Sequence, residues 1–136
     1  MKQTVETSTL YKAWPEKAAH DIESIRHAIY VKDFAQLGST AESNALAMHA
    51  TMLDAQPALL YWLPETVAVF QKIWRLRRDG VILYFTIDAG PNVKVLFEEK
   101  NESGVRHEFA GAEIVKPFNH INHFLESTSA AQRAEQ

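Results

Sequence analysis

One stretch constrains the chain more than any other: Val81-Ile82-Leu83-Tyr84-Phe85-Thr86-Ile87, then Asp88, then Ala89-Gly90-Pro91-Asn92, then Val93-Lys94-Val95-Leu96-Phe97. Residues 81–87 carry no charge, are rich in β-branched and aromatic side chains, and show no polar alternation. That composition predicts a strand buried on both faces. Residues 89–92 predict a turn, with glycine supplying positive φ, proline fixing φ and asparagine tolerating left-handed geometry. Val93, Val95 and Phe97 then alternate with Lys94, Leu96 and Glu98, the pattern of a half-exposed partner strand. A single carboxylate, Asp88, therefore sits at the end of a core strand, beside glycine backbone.

The residues before this hairpin read as helices. Residues 1–14 begin extended and polar and become apolar at Leu10, Tyr11 and Trp14. Pro15 fits a first helical turn. Ala18, Ile22, Ile25 and Ile29 then follow at i, i+4, i+7 and i+11, one face of an amphipathic helix ending near Val31. Asp33 with Gln36 three residues on predicts the cap of a second helix. Its apolar stripe is Phe34, Leu37, Ala41, Ala45, Met48 and Met52, with Asn44 and His49 on the two boundaries and Ser43 pointing away. Asp54 and Pro57 close it. Residues 58–63 are short and apolar, and periodicity does not separate strand from packed loop. Pro64-Glu65 opens a third helix with Val69, Phe70, Ile73, Trp74 and Leu76 inward. It ends in Arg75, Arg77 and Arg78, which complement the helix dipole, and stops at Gly80.

After the hairpin, residues 105–109 and 113–116 read as short strands and residues 117–125 as a short helix. Residues 127–136 read as a flexible polar tail, so residues 1–126 are expected to form the domain. Helices followed by strands predict an α+β fold: a two-layer sandwich with helices on one face of a mostly antiparallel sheet. A chain of 136 residues fits one core, and 46% hydrophobic with 23% charged residues is ordinary globular composition. Net charge −3 gives no reason to expect nucleic acid. The absence of cysteine excludes disulfides and thiolate chemistry and suits a cytoplasmic location. The N-terminus has no signal-peptide pattern, and no apolar run reaches the ~20 residues of a membrane span.

Asp88 is the one acid in a strongly structured context. It can serve as a general base, or as an Asx-turn acid bonded to its own backbone; by pattern alone the turn reading carries the greater weight. The histidines do not assemble a site. His120 and His123 are spaced i, i+3, and His20 and His27 lie two turns apart, but neither pair has the third ligand that zinc requires. His49 is either a site-edge residue or an ordinary boundary histidine. Arg75, Arg77 and Arg78 beside Trp74 fit a helix end better than a nucleic-acid stripe. There is no Walker-type phosphate loop and no dinucleotide fingerprint.

Phe85-Thr86-Ile87-Asp88-Ala89-Gly90-Pro91-Asn92 resembles the signature of the diphosphomevalonate decarboxylase family, within the GHMP kinase superfamily. The likeness extends to Met1-Lys2-Gln3-Thr4-Val5-Glu6-Thr7-Ser8, Lys32-Asp33-Phe34, Glu42-Ser43-Asn44, His49-Ala50-Thr51-Met52-Leu53-Asp54, Pro57 and Tyr61, in family order, over roughly residues 1–99. The resemblance implies the ferredoxin-like C-terminal domain of that superfamily. It also implies ATP-dependent conversion of mevalonate 5-diphosphate to isopentenyl diphosphate in the mevalonate pathway, with ATP and Mg2+ bound mainly by the N-terminal half.

The family's invariant aspartate falls on Asp88, with the implied role of taking or orienting the proton of the substrate 3-hydroxyl. Ala89, Gly90 and Asn92 are implied to shape the substrate pocket, and Ser43 and Asn44 to support it. The departures are specific. The family's ATP loop and its carboxylate-binding arginine have no counterpart here, the segment at 101–104 is shortened, and residues 110–115 stand where the family has its final strand. The expected partners are mevalonate 5-diphosphate, the N-terminal half of the enzyme and a second copy in a homodimer. The alternatives are a related kinase that does not decarboxylate and a non-catalytic α+β module.

Overall fold

The computed structural model describes residues 2–116. The chain divides into two units, Met1–Val105 and Arg106–Gln136. The first contains the helices α1 (Lys2–Thr7), α2 (Trp14–Val31), α3 (Phe34–Leu53) and α4 (Pro64–Arg78) and the strands β1 (Leu83–Ile87) and β2 (Val93–Phe97), with single 3-10 turns at Leu10–Lys12 and Glu99–Asn101. A further helix, α5 (Glu102–Glu108), runs across the division. The fold is α+β, as expected. β1 and β2 form an antiparallel pair in the register Leu83↔Phe97 to Ile87↔Val93.

Helix ends follow the local chemistry. The Asp33 carboxylate accepts from the Gln36 N–H at 2.9 Å and caps α3. Pro15 and Pro64 occupy the first turns of α2 and α4. Gly80, at φ 95°, ends α4 in a conformation that L side chains avoid. Residues 58–63 are irregular, a loop rather than a strand, with Leu59 and Trp62 half-buried and the others exposed.

The core is centred on β1. Leu83, Phe85 and Ile87 are buried, while Tyr84 and Thr86 on the other face are half-exposed, so the strand is fully buried on one face rather than two. Phe70 of α4 stacks on Phe85 with centroids 4.2 Å apart, and Ile73 is fully buried beside them. α3 lies along β1 and also packs on α2.

The buried side of α3 differs from its apolar stripe. The buried positions include Gly38, Glu42, Ala45, His49 and Met52, a 4-3-4-3 row that contains an acid and an imidazole. Each non-apolar member has a reason to be inside. A Cβ on Gly38 would lie 2.1 Å from Cδ2 and 2.3 Å from Cγ of Tyr84, so only glycine admits the strand this closely. Glu42 accepts from Trp74 Nε1 (2.7 Å) and, in a bidentate pair, from Arg77 (2.9 and 3.0 Å). Arg77 also donates to the Leu83 carbonyl at 3.2 Å, and its guanidinium lies 4.6 Å from the Tyr84 ring centroid. Its bond to Glu42 raises the Arg77 pKa further, against the desolvation that opposes it.

α2 is also rotated from expectation. Asp21 and Ala28 face α3, whereas Ile22 and Ile29 stay 56% and 60% exposed. The seam is polar. Asp21 accepts from Lys17 Nζ and, at 2.9 Å, from Asn44 Nδ2 on α3. Burial pushes the Asp21 carboxyl up, but the Lys17 and Asn44 hydrogen bonds outweigh it and hold the group below the usual carboxylate range.

The N-terminal residues form α1 rather than an extended segment. Asp54, capping the end of α3, explains the docking. Its Oδ2 accepts from the Leu10 N–H (3.0 Å), the Thr9 hydroxyl (2.9 Å) and the Ser8 hydroxyl (3.0 Å). These three donors hold its pKa down. Thr7 Oγ1 accepts from the Gln56 N–H at 2.8 Å.

Two expected strands are absent. Residues 105–109 lie largely in α5, with Glu102 in its first turn, Arg106 and His107 in its last, and Val105 buried; the charges suit the dipole. Residues 113–116 have no regular structure, and Val115 is exposed, leaving little burial to favour a strand there. The helix expected at 117–125, the 127–136 tail, the 1–126 domain limit, His120 and His123 fall wholly or partly outside the described residues.

Three outcomes follow from this packing. Gly38→Ala gains ~1 kcal/mol of helix propensity but overpacks against Tyr84 at a cost of ~1–3 kcal/mol, so thermal unfolding should show net destabilisation. Glu42→Gln leaves Arg77 without its counter-charge. Full burial would cost ~3–5 kcal/mol; with the Arg77 side chain 29% exposed, about 2–3 kcal/mol is expected by urea unfolding. Asp21 and Asp54 have depressed folded pKa values. Their stabilisation is present above the unfolded value of about 3.9 and is lost as pH falls through the lower folded value. Acid titration of the double variant Asp21→Asn/Asp54→Asn should therefore show a shallower loss of stability below about pH 4 than the parent chain.

Candidate functional site

The site is the five-residue connection between β1 and β2. β2 pairs with β1 as far as Ile87↔Val93, which leaves residues 88–92 outside the ladder. The Gly90 N–H donates to the Asp88 carbonyl at 2.7 Å, and the i, i+2 bond makes a γ-turn centred on Ala89. Gly90 does not have positive φ, and a Cβ on it would meet no atom within 4 Å, so the turn does not draw on glycine's conformational freedom as expected.

The Asp88 side chain is 83% exposed and pairs with Lys94 Nζ. This geometry departs from the Asx-turn reading: the turn's hydrogen bond ends on the Asp88 carbonyl, and the carboxylate is left to a side-chain cation. Lys94 stands opposite Thr86, so it projects on the same face as Thr86 and Asp88. Asp88, Ala89 and Asn92 are exposed and Gly90 is half-buried.

Two helices hold the backbone of this turn. His49, 2% exposed on α3, bonds the Asp88 carbonyl through Nε2 at 2.8 Å. A carbonyl can only accept, so Nε2 carries the proton. The His49 ring is enclosed by Trp62 (centroids 5.2 Å) and Tyr61 (6.5 Å) of the loop before α4. Thr66, buried in the first turn of α4, donates its hydroxyl to the Pro91 carbonyl at 2.9 Å and accepts from the Leu63 N–H at 3.2 Å.

Of the residues singled out from the sequence, Asp88, Ala89, Gly90 and Asn92 lie together on the turn. His49 joins them from behind as a buried residue rather than a boundary one. Asn44 donates to Asp21 on α2, and exposed Ser43 lines a shallow hollow with Ser39, Glu42, Leu46, Arg77 and Tyr84. Arg77 serves the Glu42 pair. Lys94 and Thr66 were not anticipated. Strand alternation with a five-residue loop could have placed Lys94 beside Asp88; Thr66 lies 25 residues from Pro91 and gave no local signal. Among the described residues no group of three or more histidines and carboxylates is placed to hold a metal ion, and no helix is long and apolar enough to cross a membrane.

Comparison with known proteins adds the family. The chain is 33% identical over 109 residues to a diphosphomevalonate decarboxylase of Debaryomyces hansenii, covering 77% of this chain and 28% of that protein. In structure it resembles the mevalonate diphosphate decarboxylase from Enterococcus faecalis, with TM-score 0.77 and 40% identity, over 81% of this chain and 36% of that one. It also resembles MDDEF in complex with MVAPP, AMPPCP and magnesium, with TM-score 0.76 and 42% identity, over 78% of this chain and 32% of that one. The chain thus spans about a third of the length of the relatives it matches. A family model for the mevalonate 5-diphosphate decarboxylase C-terminal domain matches residues 1–135, and the chain belongs to that family.

Proposed function

We propose that this chain is the C-terminal part of an ATP-dependent diphosphomevalonate decarboxylase, a carbon–carbon lyase of the cytoplasm, with Asp88 as its catalytic carboxylate. One observation carries the reading: an exposed carboxylate, inside the family signature, stands at the end of a core strand on a turn anchored from two helices.

The chemistry fits the arrangement. The substrate hydroxyl must be oriented, and its proton accepted, as its oxygen attacks the transferred phosphoryl group. A carboxylate bonded by its own turn would be poorly free to do this; Asp88 is not. Lys94 supplies a cation beside it, which can balance the carboxylate or face the phosphoryl group. Phosphate then leaves carbon 3 as the carboxylate carbon departs as carbon dioxide, and the released electron pair forms the double bond of isopentenyl diphosphate. Ala89, Gly90 and Asn92 form the pocket wall beside Asp88, whereas Asn44 is bonded to Asp21 on α2 and Ser43 faces the hollow beside Arg77, so neither is assigned a part at the turn.

The described residues offer neither a phosphate-cradling loop nor a cluster of metal ligands. ATP and Mg2+ are assigned to the N-terminal part of the enzyme, and no step is routed through a metal held on this chain. Catalysis accordingly requires that part as partner.

The test combines this chain with the N-terminal part of a relative lacking its own C-terminal domain and supplies ATP and mevalonate 5-diphosphate. Carbon dioxide release is expected, and Asp88→Asn should lower it about 10²- to 10⁴-fold. Full turnover with Asp88→Asn would overturn the assignment, and ADP formation without carbon dioxide would place the chain with the kinases.

A further inference from the structure

We infer that His49 and Thr66 are positioning residues for Asp88: together they fix the backbone from which its carboxylate reaches the substrate. The inference rests on the reading of Asp88 given above.

The carboxylate projects into solvent, and its only hydrogen-bond partner among the described residues is a flexible lysine chain. Its location is therefore set by its main chain. That main chain lies beyond the last rung of the β1–β2 ladder. A Cβ on Gly90 would meet no atom within 4 Å, so that side of the turn is open. What holds it is hydrogen bonding to two carbonyls, one on each side of Gly90. His49 Nε2–H reaches the Asp88 carbonyl from α3, and the Thr66 hydroxyl reaches the Pro91 carbonyl from α4.

Both donors are themselves constrained. His49 and Thr66 are 2% and 3% exposed. The Trp62 and Tyr61 rings fix the imidazole plane. The Leu63 N–H occupies a lone pair of the Thr66 oxygen and so directs its proton to Pro91. The arrangement has the form that positioning requires: a reacting group on a short loop, located by buried side chains on rigid helices. It also divides the work. Neither donor touches the carboxylate, so each acts on Asp88 through the position of the turn.

The experiment uses the full chain with two pairs of variants. His49→Leu removes the donor and His49→Gln keeps an N–H at similar reach; Thr66→Val removes the hydroxyl isosterically and Thr66→Ser keeps it. In the reconstituted assay, His49→Leu and Thr66→Val should each lower kcat about 10- to 100-fold, the scale of an ångström misplacement, while KM changes less than about threefold. The Gln and Ser variants should recover most of the loss. In an Asp88→Asn background, His49→Leu should cost little more, because the group it positions is gone.

On the free chain, amide exchange at Gly90 should accelerate about 3- to 10-fold in His49→Leu and Thr66→Val, as expected for losing one hydrogen bond. If His49→Leu does not fold, the isosteric Thr66→Val decides the matter. Unchanged kcat in both donor-less variants, or additive loss in the Asp88→Asn background, overturns the inference. So does unchanged Gly90 exchange. A harmless Asp88→Asn would instead overturn the catalytic reading of Asp88, and the exchange measurement would still judge the anchoring by itself.

Discussion

One helical row, Gly38, Glu42, Ala45, His49 and Met52, carries the polar contacts of α3 with β1, its following turn and α4, and three of its five members are not apolar. Gly38 admits the Tyr84 ring, Glu42 takes Arg77 and Trp74 of α4, and His49 takes the first carbonyl after β1. From Gly38 to His49 the helix advances about 16 Å, and from Tyr84 to Asp88 the strand advances about 13 Å, so the two elements run side by side over the whole contact. Each polar member is satisfied at one height, Glu42 by two partners and His49 by one. Slipping the helix by a residue would strand Arg77 and present Ser39 and Ser43 to the core. Since a buried polar group left unsatisfied costs ~1–3 kcal/mol, the row specifies register as well as stability.

β1 draws hydrogen bonds from side chains as well as from β2. The Leu83 carbonyl at its start accepts from Arg77, and the Asp88 carbonyl just past its end accepts from His49. The turn after β1 inherits this support, and that is why an exposed aspartate can stand at a defined place without packing around it. A rigid scaffold carrying a short solvent-facing loop is the common form of a site that must meet a substrate brought by another part of an enzyme.

Much of the fold was legible in local chemistry. Asp33, Pro15, Pro64 and Gly80 mark helix ends that the structure reproduces, because caps and breakers act within a few residues. The hairpin was legible for the same reason. The inward face of α4 was legible too, with Phe70 and Ile73 buried as expected; those of α2 and α3 were not. Ile22 and Ile29 form the more apolar side of α2, yet Asp21 and Ala28 face α3, since Asn44 and Lys17 satisfy the acid and alanine permits close approach. An apolar-periodicity argument leaves Glu42 out of the stripe and His49 on its boundary because it cannot see the partners that make their burial tolerable. Residues 105–109 misled for a related reason: a short stretch bounded by Val105 and Phe109 can be read as a strand, but Glu102 in the first turn and Arg106 and His107 in the last favour α5.

The sequence by itself determined the number and ends of the principal helices, the hairpin, the position of Asp88 and, through the collinear signature, the family. These depend on residues that are neighbours along the chain or on a motif that can be recognised as written. Tertiary structure alone decided which faces of α2 and α3 are buried, that Asp88 is left free by its own turn, and that His49 and Thr66 grip that turn. Those outcomes depend on hydrogen bonds between residues 25 and 39 positions apart, whose geometry exists only once α3, α4 and β1 are packed.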